Sequence, residues 1–176
     1  MVYLTYSKPN KCGRAEMSAD GVRLLRVLLE QAGENTDVEL AREPSGRPYI
    51  IGRKDLDFNV SHSDGLVVCA LSVGDGRVGV DCEPVISTVP AERQKRFSEK
   101  YFSEKEKILL ESDPTCFSKI WTSKEAYLKR SGRGIATDLS KIDSAAHIKD
   151  VSLVTVEMEE HFITVCTAEG VQIKII

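Results

Sequence analysis

The chain has 176 residues, of which 41% are hydrophobic and 29% charged, and its 24 lysines and arginines against 27 aspartates and glutamates leave a formal net charge of −3. That is enough apolar material for the core of one domain or of two small halves, and the acidic balance argues against the broad basic footprint of a non-specific nucleic-acid binder. There is no apolar run of the ~18 residues a membrane span needs and no charged-then-apolar leader, so no membrane role and a cytoplasmic location are expected.

Residues 1–6 read as a short strand, followed by a polar loop over 7–13 with Lys8 and Lys11, then Arg14. A helix is expected from Ser18 or Asp20 to Ala32, with Val22, Leu25, Leu28 and Leu29 inward and Gly33 as its stop. Residues 38–42 suit a strand, and Pro44 to Pro48 is turn chemistry that carries Arg47. Arg47 is either an exposed turn residue or a guanidinium aimed at a phosphate. NVSHS at 59–63 precedes a turn at Asp64 and Gly65 that leads into an apolar strand over 66–73. Gly74, Asp75 and Gly76 are expected to fold that strand back on 78–83 as a hairpin.

After Pro84 the chain turns to charge-rich helices, which places the boundary between two halves there, at 1–84 and 85–176. Helices are expected over 91–100 and 102–111, the second opened by Ser103 and Glu106 in the S-x-x-E spacing of a capping box. A third spans 117–129, with Asp113 as N-cap and Pro114 at its first position. At about 100° per residue its Phe117, Ile120, Trp121, Tyr127 and Leu128 share one face, Lys124 projects near the middle of that face, and Glu125 and Lys129 lie along its edge. Residues 151–157, 161–167 and 171–175 read as three short strands. His147 and His161 have no catalytic neighbours and read as surface residues, and Cys12, Cys69, Cys82, Cys116 and Cys166, without CxxC spacing, read as reduced thiols.

Side chains alternate along a strand, so Val78, Val80 and Cys82 take one face of 78–83 while Gly79, Asp81 and Glu83 take the other. Two carboxylates side by side repel unless a cation or base stands between them. Glu125 adds a third, and three carboxylates are the oxygen sources a hard cation such as Mg²⁺ takes while leaving room for water and phosphate oxygens. Gly79 on the same face leaves space for a ligand to approach. No P-loop or glycine-rich phosphate cradle occurs, which argues against an ordinary kinase or NTPase.

Four blocks in order, GRP at 46–48, NVSHS at 59–63, VGVDCE at 78–83 and WTSKEAYLK at 121–129, resemble the motifs of the 4'-phosphopantetheinyl transferase superfamily, in particular its Sfp-like class. SGRGI at 131–135 continues the similarity, whereas Sfp-like proteins carry a longer N-terminal lead-in. The resemblance implies an α+β pseudo-dimer of two similar halves, each a small, mainly antiparallel three-stranded sheet packed with helices, acting as a monomer with coenzyme A in the cleft. It implies Mg²⁺-dependent transfer of the phosphopantetheine arm to a serine of an apo acyl or peptidyl carrier protein, with Mn²⁺ as a substitute metal and 3',5'-ADP as product. Asp81, Glu83 and Glu125 would hold the metal, Lys129 and Lys124 would meet phosphate, and Arg47 and Arg23 would meet the coenzyme. Ser61 and His62 would sit at its 3'-phosphate end. Glu106, already explained as a helix cap, matches the family's acidic group that activates the attacking hydroxyl, and both readings stand. The alternatives are a non-catalytic module that binds coenzyme A or carrier proteins, and another Mg²⁺-dependent pyrophosphate-cleaving transferase.

Overall fold

The computed structural model describes residues 1–10, 13–132, 139–144, 146 and 148–176, with the side chain of Arg14 left out; Lys11, Cys12, His147 and the 133–135 part of SGRGI lie outside the described residues. Strand β1 (Val2–Ser7) leads into helix α1 (Arg14–Gln31), which starts a turn earlier than Ser18, and then into the short pair β2 (Leu40–Arg42) and β3 (Pro48–Ile50). Strands β4 (Leu56–Ser63), β5 (Leu66–Val73) and β6 (Gly79–Pro84) follow, then helices α2 (Ala91–Tyr101), α3 (Glu104–Ser112) and α4 (Cys116–Ser131). Strands β7 (Val151–Met158), β8 (His161–Ala168) and β9 (Ile173–Ile175) complete an α+β architecture.

The first sheet runs β4-β5-β1-β9 and the second β6-β8-β7. The expected hairpin of 66–73 with 78–83 does not form. β5 pairs instead with β4, from Leu56 opposite Val73 to Ser63 opposite Leu66, across a two-residue turn in which Asp64 (φ 44°) and Gly65 (φ 80°) are both left-handed. β6 leaves for the second sheet, where it pairs antiparallel with β8. β9, expected to close the C-terminal meander, runs parallel to β1, so the first sheet has four strands rather than three. β6 and β9 therefore each lie in a sheet whose other strands come from the other side of Pro84.

Burial explains the crossover. β5 is buried on both faces: Leu66, Val68 and Ala70 pack with Val78, Val80, Cys82, Ile163 and Val165 between the sheets, while Val67, Cys69 and Leu71 pack under Leu24, Leu25, Leu28 and Leu29 of α1. The apolar face of β6 thus seals the gap between the sheets instead of extending the first one, and its other face turns to α4. Gly79 meets that helix directly, since a Cβ there would lie against the Ala126 carbonyl oxygen and 2.6 Å from Arg130 N. The glycine therefore admits a helix backbone, not a ligand as its composition suggests.

Phe102, Phe117 and Ile120, with Trp121, form a smaller cluster that anchors α4 beside α2 and α3. Asp113 ends α3 and accepts hydrogen bonds from the Thr115 N–H and hydroxyl, and Thr115, not Asp113, is the N-cap residue of α4. The capping box at Ser103 and Glu106 is present in full. Cys69, Cys82 and Cys166 are buried free thiols, as their place inside strands implies.

Candidate active site

The edge strands of the two sheets, β4 and β6, are joined by side chains rather than by a backbone ladder. LDFNVSHS alternates, so Leu56 and Phe58 face α1 while Asp57, Asn59, Ser61 and Ser63 all face β6. Asp57 accepts from the Val78 N–H at 2.8 Å and Asn59 from the Val80 N–H at 2.9 Å. Further along, the Ser61 hydroxyl donates to Asp81 Oδ1 at 2.7 Å and the Ser63 hydroxyl to Glu83 Oε2 at 3.0 Å. The same zipper that fastens the sheets therefore aims the two carboxylates.

Lys129, in the last turn of α4, reaches across to the same point. Its ammonium donates to Asp81 Oδ1 at 2.6 Å and to Ser61 Oγ at 2.7 Å. Glu125, one turn earlier, stands close enough for the carboxylates to feel one another. Burial, then the charge of Asp81, pushes the Glu83 carboxyl up to about 7, with Glu125 adding to the rise and Ser63 and Lys129 opposing it. Burial and Asp81 likewise raise Glu125, again against Lys129. Asp81 Oδ2 is buried without a hydrogen-bond partner among the described residues. Among the described residues no three carboxylate, histidine or cysteine groups stand in a ready metal-ligating array. The orphaned Asp81 oxygen and the raised Glu83 carboxyl beside it nevertheless match the donor chemistry of a hard cation. Beside this cluster, Arg47, Asn59, Glu125, Leu128 and Lys129 line a cavity of about 240 Å³.

Lys124 and Glu106 lie elsewhere. Lys124 is fully buried, ion-paired to Glu106 Oε2 at 2.7 Å and donating to the carbonyls of Leu139 at 2.9 Å and Ile142 at 2.6 Å. Burial lowers its pKa, and the hydrogen bond it donates to the Glu106 carboxylate works against that. Glu106 is itself buried, with Oε2 also accepting from the Ser103 N–H and Oε1 from the N–H and hydroxyl of Ser144. Both residues are fully engaged with the protein.

A second cavity, about 330 Å³, opens on the other side of β4 between α1 and the β2–β3 pair, lined by Ser18, Gly21, Arg42, Phe58, Val60 and His62 among others. Arg23, by contrast, is exposed and holds Asp20 at 2.7 Å, away from that lining.

Residues 77–174 match the family model described as the 4'-phosphopantetheinyl transferase superfamily. The chain belongs to this superfamily. It is similar to a 4'-phosphopantetheinyl transferase of Bacillus subtilis, 24% identical over 99% of this chain and 88% of the relative. It also matches 4'-phosphopantetheinyl transferase gsp of Aneurinibacillus migulanus, 34% identical over 65% of this chain and 48% of that one. With 4'-phosphopantetheinyl transferase Sfp of Bacillus subtilis it shares 26% identity over 84% of this chain and 68% of the relative. It is an enzyme of the phosphopantetheinyl transferase class.

Against the roles that membership suggests, Asp81, Glu83, Glu125 and Lys129 come together and His62 faces the second cavity, whereas Ser61, expected beside His62, points from the opposite face of β4 to Asp81 and Lys129. The expected phosphate contact of Lys124 and the general-base role of Glu106 find no support in the geometry, because their polar atoms saturate one another and nearby backbone. Arg47 is buried and bonded within the protein instead of exposed on its turn. His161, read as a surface residue, is buried, with Nε2 3.1 Å from the Ser63 carbonyl and Nδ1 2.7 Å from that of Glu159. Asp57, Asn59, Ser63 and Arg42 were missed; the period-2 pattern of 56–63 beside an Asp-Gly turn was the signal for the first three.

Proposed function

We propose that this chain transfers the 4'-phosphopantetheine arm of coenzyme A to a serine hydroxyl of an apo acyl or peptidyl carrier protein, with Mg²⁺ required and 3',5'-ADP released. The observation that carries the reading is the meeting of Asp81 and Glu83 from β6 with Glu125 and Lys129 from α4, beside one cavity and within a strand's width of another. His62, with Arg42 and Ser18, would receive the nucleotide end of the coenzyme in the second cavity, an imidazole and a guanidinium being suited donors to its 3'-phosphate. Lys129 would meet a pyrophosphate oxygen as a point charge.

Asp81, Glu83 and Glu125 would hold the divalent cation, which when bound supplies Lewis-acid neutralisation of the pyrophosphate. Ser61 and Ser63 keep the first two carboxylates turned toward that place. In the transfer, the serine oxygen of the carrier would form a bond to the β-phosphorus as its proton passes to solvent, the bond from that phosphorus to the bridging oxygen would break, and the nucleotide would leave with that oxygen. The protein is proposed to act as a monomer with both halves of the site in one chain.

Intact mass of an apo carrier incubated with the protein, coenzyme A and Mg²⁺ tests this. The expected result is a gain of one phosphopantetheine arm that disappears with a chelator and with Glu125→Ala, whose melting remains cooperative. No gain on acyl or peptidyl carriers, although coenzyme A binds, would sink the transferase reading in favour of a binding module.

A further inference from the structure

Arg47 sits at a second junction of β4, β6 and α4, beside the one made by Ser61, Asp81 and Lys129. Its guanidinium bonds the carbonyl oxygen of Lys129, and its Nη2 donates to Asp57 Oδ2 at 2.6 Å, to the Val78 carbonyl at 2.8 Å and to the Phe58 carbonyl at 3.2 Å. Asp57, held in this way, is the same carboxylate that accepts the Val78 N–H. One planar group therefore ties down the residue before Gly79, the strand across from it, and the backbone of the lysine whose ammonium meets Asp81 and Ser61. A lysine in its place has a single nitrogen and cannot span acceptors on three elements at once.

We propose that Arg47 is a positioning residue for the transfer reaction: it acts through Lys129, fixing the last turn of α4 against the start of β6 so that the Lys129 ammonium stays on Asp81. This rests on the transferase reading above and departs from a direct contact of Arg47 with the coenzyme phosphates. Its Nε, buried and without an acceptor among the described residues, and the second N–H of Nη1 are the groups through which such a contact could be made, and the test separates the two.

Two measurements on Arg47→Lys, which keeps the charge, decide it. The first needs no activity: the ¹H–¹⁵N signal of the Lys129 ammonium, slowed in exchange by Asp81 and Ser61 and assigned through its loss in Lys129→Met, should vanish in folded Arg47→Lys. An unchanged signal overturns the proposal, whether or not the wild-type chain transfers anything. The second is a double-mutant cycle of Arg47→Lys with Lys129→Met, read as turnover per folded molecule. Misplacing the ammonium should lower kcat on the order of 10² while KM for coenzyme A stays within a few-fold, and the double variant should be no slower than Lys129→Met alone. Additive losses, or a raised KM at unchanged kcat, would assign Arg47 to the phosphate. Unchanged kcat and KM would leave it only a scaffold residue, which also overturns the proposal. A wild-type chain that fails to transfer, with the ammonium signal lost in Arg47→Lys, refutes the transferase reading alone.

Discussion

Gly79→Ala places a methyl group where α4 lies on β6. The new Cβ would stand against the Ala126 carbonyl oxygen, 2.6 Å from Arg130 N and 3.0 Å from Arg130 Cβ. Ordinary contacts begin near 3.4 Å, so the helix must move away by roughly 1 Å, and the obstructing atoms are backbone that no rotamer change can withdraw. Overpacking of this kind costs about 1–3 kcal/mol, and a backbone obstruction belongs at the upper end. For a chain of this length about 3 kcal/mol lowers Tm by roughly 6–12 °C. The moving helix also carries Glu125 and Lys129, so a shift of about 1 Å should reduce turnover on the order of 10² in the molecules that remain folded. Thermal unfolding with the carrier mass assay below the transition reads both. If the glycine instead kept space open for coenzyme A, Tm would hold and only KM for the coenzyme would rise, and that pair of results would refute the packing explanation.

Two further perturbations are specific. Glu106→Gln removes the partner of a fully buried ammonium and should destabilise the fold by about 3–5 kcal/mol, with Glu106→Gln/Lys124→Met recovering much of it; equal losses in the single and double variants would show that Lys124 does not depend on this pair. Glu83, raised to about 7 from an ordinary 4.5, holds its proton in the folded protein where the unfolded chain has already released it. Metal-free protein should therefore lose stability as pH rises from about 4.5 to about 7 and regain it below, since folding binds the extra proton in that window. Urea unfolding in chelator should show Glu83→Gln more stable than wild type at about pH 8 and converging with it toward about pH 5; a difference independent of pH would contradict the assignment.

The chemistry was more legible than the topology. VGVDCE and WTSKEAYLK carry their message in residue type and in the alternation or turn of one element, and the structure brings Asp81, Glu83, Glu125 and Lys129 together accordingly. Alternation tells which side chains share a face but not which sheet the face joins. β6 and β9 were accordingly placed with their neighbours in sequence, although each pairs across the chain. Buried charge is the other gap. Lys124 lies squarely in the apolar stripe of its helix with Phe117, Ile120 and Leu128, which announces a buried ammonium, yet its partner Glu106 is on another helix and only folding identifies it.

Three carboxylates gathered on one face repel, and a flexible frame would relax by spreading them apart. Here the frame cannot. The opposite face of β6 is locked between the sheets by Val78, Val80 and Cys82, Gly79 lies against the backbone of α4, and Ser61 and Ser63 grip the carboxylates from β4. The repulsion is instead held in the folded protein, where with burial it raises the Glu83 and Glu125 carboxyls, and Lys129, with Ser63 at Glu83, offsets it from within. On the proposed metal site, a dication beside Asp81 Oδ2 would relieve charge that the core has already assembled, and the drive to bind it would originate in the apolar packing on the far side of the strand.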